Sequence, residues 1–558
     1  MKTIYYPKLL TELKNYNKEK LFADLFAGAT VGVIAMPLAI AFAIASGVSP
    51  ERGLFTAIVA GFLISLLGGS KVQIGGPTGA FVVIVSGIVI QYGYSGLVVC
   101  TLMAGVLLIL FGVFRFGGLI KFIPFPVTTG FTTGIAVVIF STQIADLFGL
   151  KLGQVPAEFL EKWEMYVTHF GTLSLPTLAI GLETIAVIIF LRHYFPKVPG
   201  MLVGIIVATA TARFLHLDIV TIGTRFGALP NVLPHPSLPD LSFNVHLFKP
   251  AFTIALLAAI ESLLSATVAD GMMGGKHRPN AELIAQGVAN IACMFFGGIP
   301  ATGAIARTAT NVKSGARTPI AGMVHAVVLL LLLLLLAPVA TLIPLSALAG
   351  VLIVVSYNMS EMSHFISILR SSASDSFVLL ITFLLTVFVD LTVAVEVGIV
   401  LAAFLFVKRM AEVTNVSMIT AELRADEDDT REDVNSIETR QVPAGVEVFE
   451  VNGPFFFGMI DTFKSTINGL EKPVPVLIIR IRKVLSVDAT AIHALRELAH
   501  RCKKENTHLI FSGVHAQPLL AFKRSGLLDE IGRENFCKNI DIALLHAQHL
   551  LAKLHKPA

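Results

Sequence analysis

The apolar runs of this chain approach the thickness of a lipid bilayer, and they restrict its fold more than any other feature of the sequence. Hydrophobic residues make up 54% of the 558 residues, charged residues make up 14%, and the mean hydropathy is +0.77. A soluble protein does not carry so much apolar sequence. We therefore expect a polytopic α-helical membrane protein embedded in a lipid bilayer.

Two stretches interrupt the apolar sequence with residues that break helices. Phe296–Asn311 contains two adjacent glycines and then Pro300, which is typical of a helix that ends and restarts within the membrane. Gly75–Ala80 contains a similar break, and its Pro-Thr-Gly-Ala is echoed by Ala-Thr-Gly-Ala at 301–304. Paired interruptions in two structural repeats are a sequence sign of a transporter's binding site.

Each restarting half-helix is expected to direct free backbone amides into the gap, and exposed amides attract anions. We therefore expect a small anion substrate to lie between the two half-helix starts. The residues at these starts are Thr78, Gly79 and Ala80 in the first stretch and Thr302, Gly303, Ala304 and Ile305 in the second.

Hydropathy divides the membrane part into two repeats of seven spans. In each repeat the third span is short, because it begins near the centre of the bilayer, and an odd number of spans inverts the second repeat. The expected spans are 24–47, 53–69, 77–92, 95–114, 126–148, 174–193 and 199–216 in the first repeat, then 247–270, 280–298, 301–315, 318–343, 345–358, 375–391 and 392–409 in the second.

Basic residues follow spans four, six, eight, ten and fourteen, so those span ends fall on one side of the bilayer together with the lysine-rich N-terminus. The positive-inside rule makes this side cytoplasmic. We expect a multi-pass protein of the inner or plasma membrane with both termini in the cytoplasm and without a cleaved signal peptide. The basic residues include Arg115, Arg192, Lys276, Arg317 and Lys408.

Composition divides the chain into four regions. Residues 1–23 suit a cytoplasmic amphipathic segment, and residues 24–411 form the fourteen-span transporter domain, with repeats over about 24–216 and 247–411. An acidic linker covers 412–442. Residues 443–558 alternate strand-like and helix-like segments, which indicates a small α/β domain.

Several function classes are disfavoured. The four cysteines have no ligand-like spacing, so we expect neither a disulfide framework nor a metal site. There is no P-loop and no nucleophile–base pair, so we expect no enzyme and no cofactor. The net charge of +4 comes from basic residues near span ends, which disfavours a nucleic-acid partner.

Further motifs complete a family resemblance. The two helix breaks, the sequence Ile-Glu-Ser-Leu-Leu-Ser at 260–265 and the segment 487–495 of the soluble domain together resemble the sulfate permease (SulP) family of anion transporters with a C-terminal STAS domain. The resemblance implies two inverted seven-span repeats divided into a core and a gate domain, often as a homodimer. It also implies that the anion lies between the third and tenth half-helices, while the family's substrates include sulfate, bicarbonate, chloride and dicarboxylates.

Glu261 places an ionisable carboxyl in an apolar run, where it costs roughly 2.5 kcal/mol or more unless it faces a cavity, a partner or a proton. Ser265 lies four residues on, so it is a partner of this carboxyl, a cation ligand or an ordinary helix contact. The resemblance to the family implies that an aspartate at this position is associated with sodium-coupled bicarbonate carriers, and a glutamate with proton-coupled carriers. Glu261 therefore favours a co-transported proton, with sodium as the alternative.

Other polar residues near the breaks are candidate ligands. Arg307 either adds positive potential near the anion or pairs with a carboxyl of the gate domain. The hydroxyls of Thr78 and Thr302 either cap their half-helices or contact the anion. Gln73 either donates its amide to an oxyanion or satisfies loose backbone.

The soluble domain lacks one feature of its relatives. The segment resembles STAS-type anti-sigma antagonists, which carry a phosphorylated serine at the position that Ala489 occupies here. Because alanine has no hydroxyl, we expect no phosphoswitch at this position, although Thr490 offers a weaker substitute. His493 is expected to be a solvated surface residue.

We expect a secondary active anion transporter, a proton symporter of an inorganic oxyanion or a C4-dicarboxylate. The alternatives are a sodium-coupled bicarbonate symporter, an anion channel or motor-like membrane protein, and a signalling scaffold.

Overall fold

A computed structural model of the chain describes residues 6–118, 124–153, 155–156, 158–195, 198–232, 235–237, 244–389, 391–413, 415–418, 442–468 and 474–554. The chain divides into two compact units, Met1–Ala402 and Ala403–Ala558. Most of the expected acidic linker lies outside the described residues.

The first unit is helical. Eight of its described helices are long and apolar enough to cross a membrane. The helices are α1 (Lys8–Glu12), α2 (Lys18–Ala45), α3 (Pro50–Leu67), α4 (Gly79–Val113), α5 (Phe125–Phe148), α6 (Phe159–Thr168), α7 (Leu175–Tyr194), α8 (Gly200–Phe214), α9 (Ile222–Phe226), α10 (Phe248–Met273), α11 (Pro279–Phe295), α12 (Ile305–Lys313), α13 (Ile320–Ala340), α14 (Leu345–Met359), α15 (Met362–Leu369), α16 (Ala373–Phe388) and α17 (Leu391–Val413).

These helices cover the predicted spans, with three differences. Gly93, with φ at 69°, breaks α4 into the two spans that were expected at 77–92 and 95–114. The first spanning helix begins at Lys18, where the side chain of Asn17 caps it, and so starts before the expected first span at 24. The tenth span begins at Ile305 and not at 301, because the preceding residues are extended.

The repeats run over α2–α8 and α10–α17, and their helices sort into a core and a gate domain. In the core, α4 packs against α10 and α11, while α13 packs against α2 and α3. In the gate, α5 packs against α14 and α16, and α7 packs against α8 and α14. The short helix α12 packs against α10, so the second helix break lies inside the core domain.

The second unit contains a five-stranded sheet. The strand order is β3-β4-β5-β6-β7, in which β3 pairs antiparallel with β4 and the later pairs are parallel. Strands and helices alternate as expected, and β3, β7, α18 and α21 were not predicted. The elements are β3 (Asn415–Met418), β4 (Val446–Asn452), α18 (Ile460–Asn468), β5 (Val476–Lys483), α19 (Ala489–Lys504), β6 (His508–Ser512), α20 (Ala516–Ser525), α21 (Leu527–Ile531), β7 (Phe536–Cys537) and α22 (Ile540–Leu554).

Candidate functional site

The two helix breaks meet as a two-stranded antiparallel ladder. Strand β1 (Gly75–Gly76) pairs with β2 (Thr302–Gly303), with Gly75 opposite Gly303. The amide of Ala304 donates to the carbonyl of Ile74 at 2.8 Å. The Ala304 amide is therefore engaged by backbone, which corrects the expectation that it is free for an anion.

Side chains of α12 hold the backbone of the first break. The Arg307 guanidinium donates to the carbonyl of Pro77. The hydroxyl of Thr308 accepts from the amide of Ile74 at 3.0 Å, and Asn311 Nδ2 donates to the carbonyl of Val72 at 2.9 Å. These contacts fix the first break against α12, across 230 or more positions of sequence. Periodicity along one helix does not report such partners.

The backbone of the second break is held in the same manner by side chains of α3, α4 and α11. These contacts were not predicted. The available sequence signal is the presence of polar residues inside apolar helices, because buried polar side chains usually have hydrogen-bond partners. Arg52 donates to the Gly297 carbonyl at 3.0 Å, Tyr94 donates to the Gly298 carbonyl at 2.7 Å, Thr56 Oγ1 accepts from the Ile299 amide at 2.8 Å, and Asn290 bonds both the amide and the carbonyl of Ala301 at 2.8 Å.

Arg307 is the buried cation of this site. It is 5% exposed, and no carboxylate of the described residues lies within ion-pair distance of its guanidinium. A Cβ on Gly76 would lie 2.7 Å from Arg307 Nη1, so glycine is needed where the guanidinium crosses the first break. A buried positive charge is costly without a counter-charge. A bound anion would therefore supply the counter-charge that Arg307 lacks. The expected pairing of Arg307 with a gate-domain carboxyl is not present among the described residues.

The two threonines of the helix starts differ in their hydrogen bonds. Thr78 is the N-cap residue of α4, but its hydroxyl makes no cap bond and is buried without a partner among the described residues. Thr302 precedes the N-cap residue Ala304, and its hydroxyl donates to the carbonyl of Ala258 at 2.9 Å. The capping alternative therefore fails for both threonines. Only the hydroxyl of Thr78 is left for a ligand.

The start of α4 lies against the gate domain. A Cβ on Gly79 would lie 3.1 Å from Ile139 Cδ1 and 3.3 Å from Met359 Sδ, so the half-helix touches both α5 and α14. Ala80 is buried directly after it. In the second half-helix Ile305 occupies the first helical position and is partly exposed.

Gln73 is held by a buried polar network. Its Nε2 donates to Ser262 Oγ at 2.9 Å and to the Ser262 carbonyl at 3.2 Å, so the amide expected to reach an oxyanion is already used. Ser262 Oγ donates to Glu282 Oε1 at 3.2 Å, and the other carboxylate oxygen accepts from the amides of Gly69 and Ser70. Glu282 was not identified from the sequence, and it ties the segment before the first break to α10 and α11.

Gly303 has a packing role that the sequence did not indicate. A Cβ at this position would collide with the side-chain amide of Gln73. The need for glycine is therefore explained by Gln73 and does not itself indicate close approach of a ligand.

Glu261 lies on α10 and faces the gate domain. It is 7% exposed and lines a cavity of about 20 Å³ together with Phe131 and Thr132 of α5 and Val395 of α17. Its carboxyl has no hydrogen-bond donor among the described residues. Ser265 points elsewhere, because its hydroxyl donates to Thr308 at 2.9 Å. Ser265 is thus not a hydrogen-bond partner of the Glu261 carboxyl. Its hydroxyl links α10 to α12 instead.

The soluble unit carries the predicted surface residues. Asp488 caps α19 by accepting from the amide of Ala491 at 2.8 Å and also accepts from the amide of Phe457. Thr490 and His493 are exposed, and His493 lies 3.6 Å from Glu497. The Lys464 ammonium holds the pKa of the Glu497 carboxyl below its usual range. His493 is therefore a solvated surface residue, as expected.

Comparison with known proteins identifies the family and the fold of the chain. Residues 21–382 match the sulfate permease family, and residues 437–543 match the STAS domain. YvdB of Bacillus subtilis, a candidate sulfate transporter, is 42% identical over 95% of this chain and 98% of its own. The bicarbonate transporter BicA of Picosynechococcus is 30% identical over 94% of each chain. The solved structure of the murine Solute Carrier 26 family member A9 anion transporter in the inward-facing state superposes with a TM-score of 0.85 at 18% identity, covering 97% of this chain and 94% of that one.

Proposed function

Because the chain belongs to the sulfate permease family and is a multi-pass membrane transporter of anions, we propose that it is a secondary active symporter of a small oxyanion and a proton. Sulfate is the first candidate substrate, since the 42% identical relative is a candidate sulfate transporter. Bicarbonate is the second candidate, since BicA is named for it. A C4-dicarboxylate is the third class to be tested.

The observation that carries the proposal is the unpaired Arg307 at the junction of the two breaks. An oxyanion there would supply the missing counter-charge, and charge-assisted hydrogen bonds to guanidinium are strong. The free hydroxyl of Thr78 and the amides of Gly79 and Ala80 lie at the start of the facing half-helix, whose dipole favours negative charge. Gln73, Gly303 and Thr302 shape this site through the core, and the amide of Ile305, at the first position of α12, is a further candidate donor to the anion.

Glu261 is the proposed proton carrier. Its ionised carboxylate would have neither a donor nor a cation beside it among the described residues, which is unfavourable at membrane depth. An anion and a carboxylate in one low-dielectric region also repel each other. Protonation of Glu261 therefore favours anion binding, and by linkage the anion favours protonation. Sodium coupling is the alternative, in which Glu261 would be a cation ligand.

Transport is proposed to occur by an elevator or rocking movement of the core against the gate. The contacts between these domains are mostly apolar, with Phe131 and Val395 of the gate facing Ile260 of α10. Apolar contacts are non-directional, so they tolerate sliding better than a hydrogen-bonded interface.

The proposed arrangement in the cell follows from the sequence. We propose the domain division 1–23, 24–411, 412–442 and 443–558, cytoplasmic termini and a homodimer. The supporting observation for orientation is the excess of basic residues on the N-terminal side of the membrane.

The proposal is tested by uptake of radiolabelled sulfate, bicarbonate and succinate into proteoliposomes, each with an imposed proton gradient, an imposed sodium gradient or neither. We expect concentrative uptake of one oxyanion driven by the proton gradient. Uptake driven by sodium alone would select the alternative, and uptake without accumulation under any gradient would indicate a channel.

A further inference from the structure

A large cavity lies between the core and gate domains, and Arg307 is not one of the described residues that line it. Its volume is about 1090 Å³. The first segment of α4 and the start of α10 line it from the core side, and α6 and the end of α16 line it from the gate side. We call this cavity the vestibule.

The vestibule opens on the side of the membrane opposite the N-terminus. Helix α2 crosses away from that terminus, α3 returns, and the first segment of α4 then runs from the break toward the far side. Val83, which lines the vestibule, lies one helical turn beyond Gly79. One turn rises about 5–6 Å along the helix axis. The inner end of the vestibule is therefore close to the start of the half-helix at the proposed anion site.

Lys162 is the unusual residue of the vestibule. It lies on α6, is only 8% exposed, and has neither an ion-pair nor a hydrogen-bond partner for its ammonium among the described residues. Burial lowers the pKa of Lys162. Lysine is rarely buried without a partner, because the charge loses its hydration without compensation.

With His246 neutral, the charged side chains that line the vestibule are Lys162, Lys249 and Glu158, so its net charge is +1 with Lys162 included. Lys249 and His246 line the vestibule from the core side, and Glu158 is the one carboxylate among the described residues that line it. A cleft with low-dielectric walls and an excess of one sign of charge concentrates ions of the opposite sign.

We propose that the vestibule is an entry site for the transported anion, in which Lys162, assisted by Lys249, binds a small inorganic oxyanion before it reaches Arg307. This inference rests on the proposed transport of an oxyanion. It adds a second anion site, on the far side, with a role in capture and not in coupling.

The test compares Lys162→Gln and Lys162→Arg with Lys151→Gln, which removes an exposed lysine of the same connecting segment. Uptake of radiolabelled sulfate is measured in phosphatidylcholine proteoliposomes at low and high ionic strength. We expect Lys162→Gln to raise the apparent KM roughly tenfold at low ionic strength with Vmax unchanged, and the difference to shrink at high ionic strength, because steering is screened by salt. Lys162→Arg and Lys151→Gln should behave as wild type.

A second readout does not require transport. Sulfate should raise the Tm of the wild-type protein more than that of Lys162→Gln, while the ligand-free variant should be no less stable, since it loses an unpaired buried charge. If Lys162→Gln does not fold, Lys249→Gln replaces it in the test, and we expect a smaller rise in KM at low ionic strength.

Equal KM values and equal salt dependence in Lys162→Gln and Lys151→Gln would overturn the inference. A KM change that appears only when anionic lipid is added to the vesicles would also overturn it, since a lipid phosphate would then occupy the vestibule. A wild-type protein that does not transport sulfate would instead count against the proposed substrate, so the two failures are distinguishable.

Discussion

Arg307 donates to the carbonyl of Pro77, 230 positions earlier in the chain, and so joins the two half-helix starts directly. The same guanidinium is buried without a carboxylate among the described residues. One side chain thus fixes the geometry of the break and leaves a net positive charge inside it. An anion that binds there would meet both a prearranged backbone and an unpaired cation, which is the arrangement that favours binding with little reorganisation.

The first prediction concerns this cation. Arg307→Ala should lower sulfate affinity by roughly 1.5–3 kcal/mol, the usual range for a hydrogen bond to a charged group. Isothermal titration calorimetry on purified protein measures the change. Arg317→Ala is the control. It removes an exposed arginine that follows the end of α12 and should leave sulfate affinity unchanged. Equal affinities in the two variants would remove Arg307 from the site.

A second prediction separates the two threonines. Thr78→Val removes a buried hydroxyl that has no partner among the described residues, so it should weaken anion binding by about 0.5–1.5 kcal/mol without lowering thermal stability. Thr302→Val removes the bond to Ala258, so it should lower the Tm and affect binding less. Calorimetry and thermal unfolding of both variants decide this. The reversed pattern would mean that Thr302 contacts the anion.

The helix breaks and spans were predictable because they depend on local chemistry. Glycine and proline mark the breaks, and apolar length marks the spans. The partners were not predictable, since Gln73 meets Ser262 and Ser265 meets Thr308 only after helices from distant parts of the chain have packed. The start of α12 was placed four residues too early, because Pro300 fits a first helical turn as well as it fits an extended segment.

A third prediction concerns the buried carboxylate of Glu282. Glu282→Gln replaces one acceptor oxygen of the carboxylate by an NH₂ donor. The glutamine side chain then cannot accept all of the hydrogen bonds that the two backbone amides and Ser262 donate. We expect a loss of about 1–3 kcal/mol in unfolding free energy and weaker anion binding, because the segment that leads to the first break loses its anchor. Glu19→Gln, an exposed carboxyl at the start of α2, is the control. Wild-type stability of Glu282→Gln would mean that the network does not hold this segment.

A fourth prediction concerns the soluble unit. Removal of residues 440–558 leaves α17 whole, and the first unit has its own apolar core. The truncated protein should remain folded and bind sulfate with wild-type affinity, while its yield of dimer falls. Size-exclusion chromatography and calorimetry measure both properties. Loss of binding in a stable truncated protein would contradict the proposed independence of the two domains.

A fifth prediction concerns Glu261, which we propose carries the proton. Glu261→Gln keeps the shape of a protonated carboxyl but cannot release a proton, so the variant should exchange sulfate across the membrane and fail to accumulate it. Glu183→Gln is the matched control, because Glu183 accepts a hydrogen bond from Thr211 within the gate domain.

The decisive measurement is sulfate uptake by Glu261→Gln proteoliposomes under an imposed pH gradient, beside counterflow in the same vesicles. We expect counterflow at a rate near that of the wild-type protein and no accumulation above the external concentration. Accumulation that responds to the pH gradient as in the wild-type protein would show that Glu261 does not carry the proton.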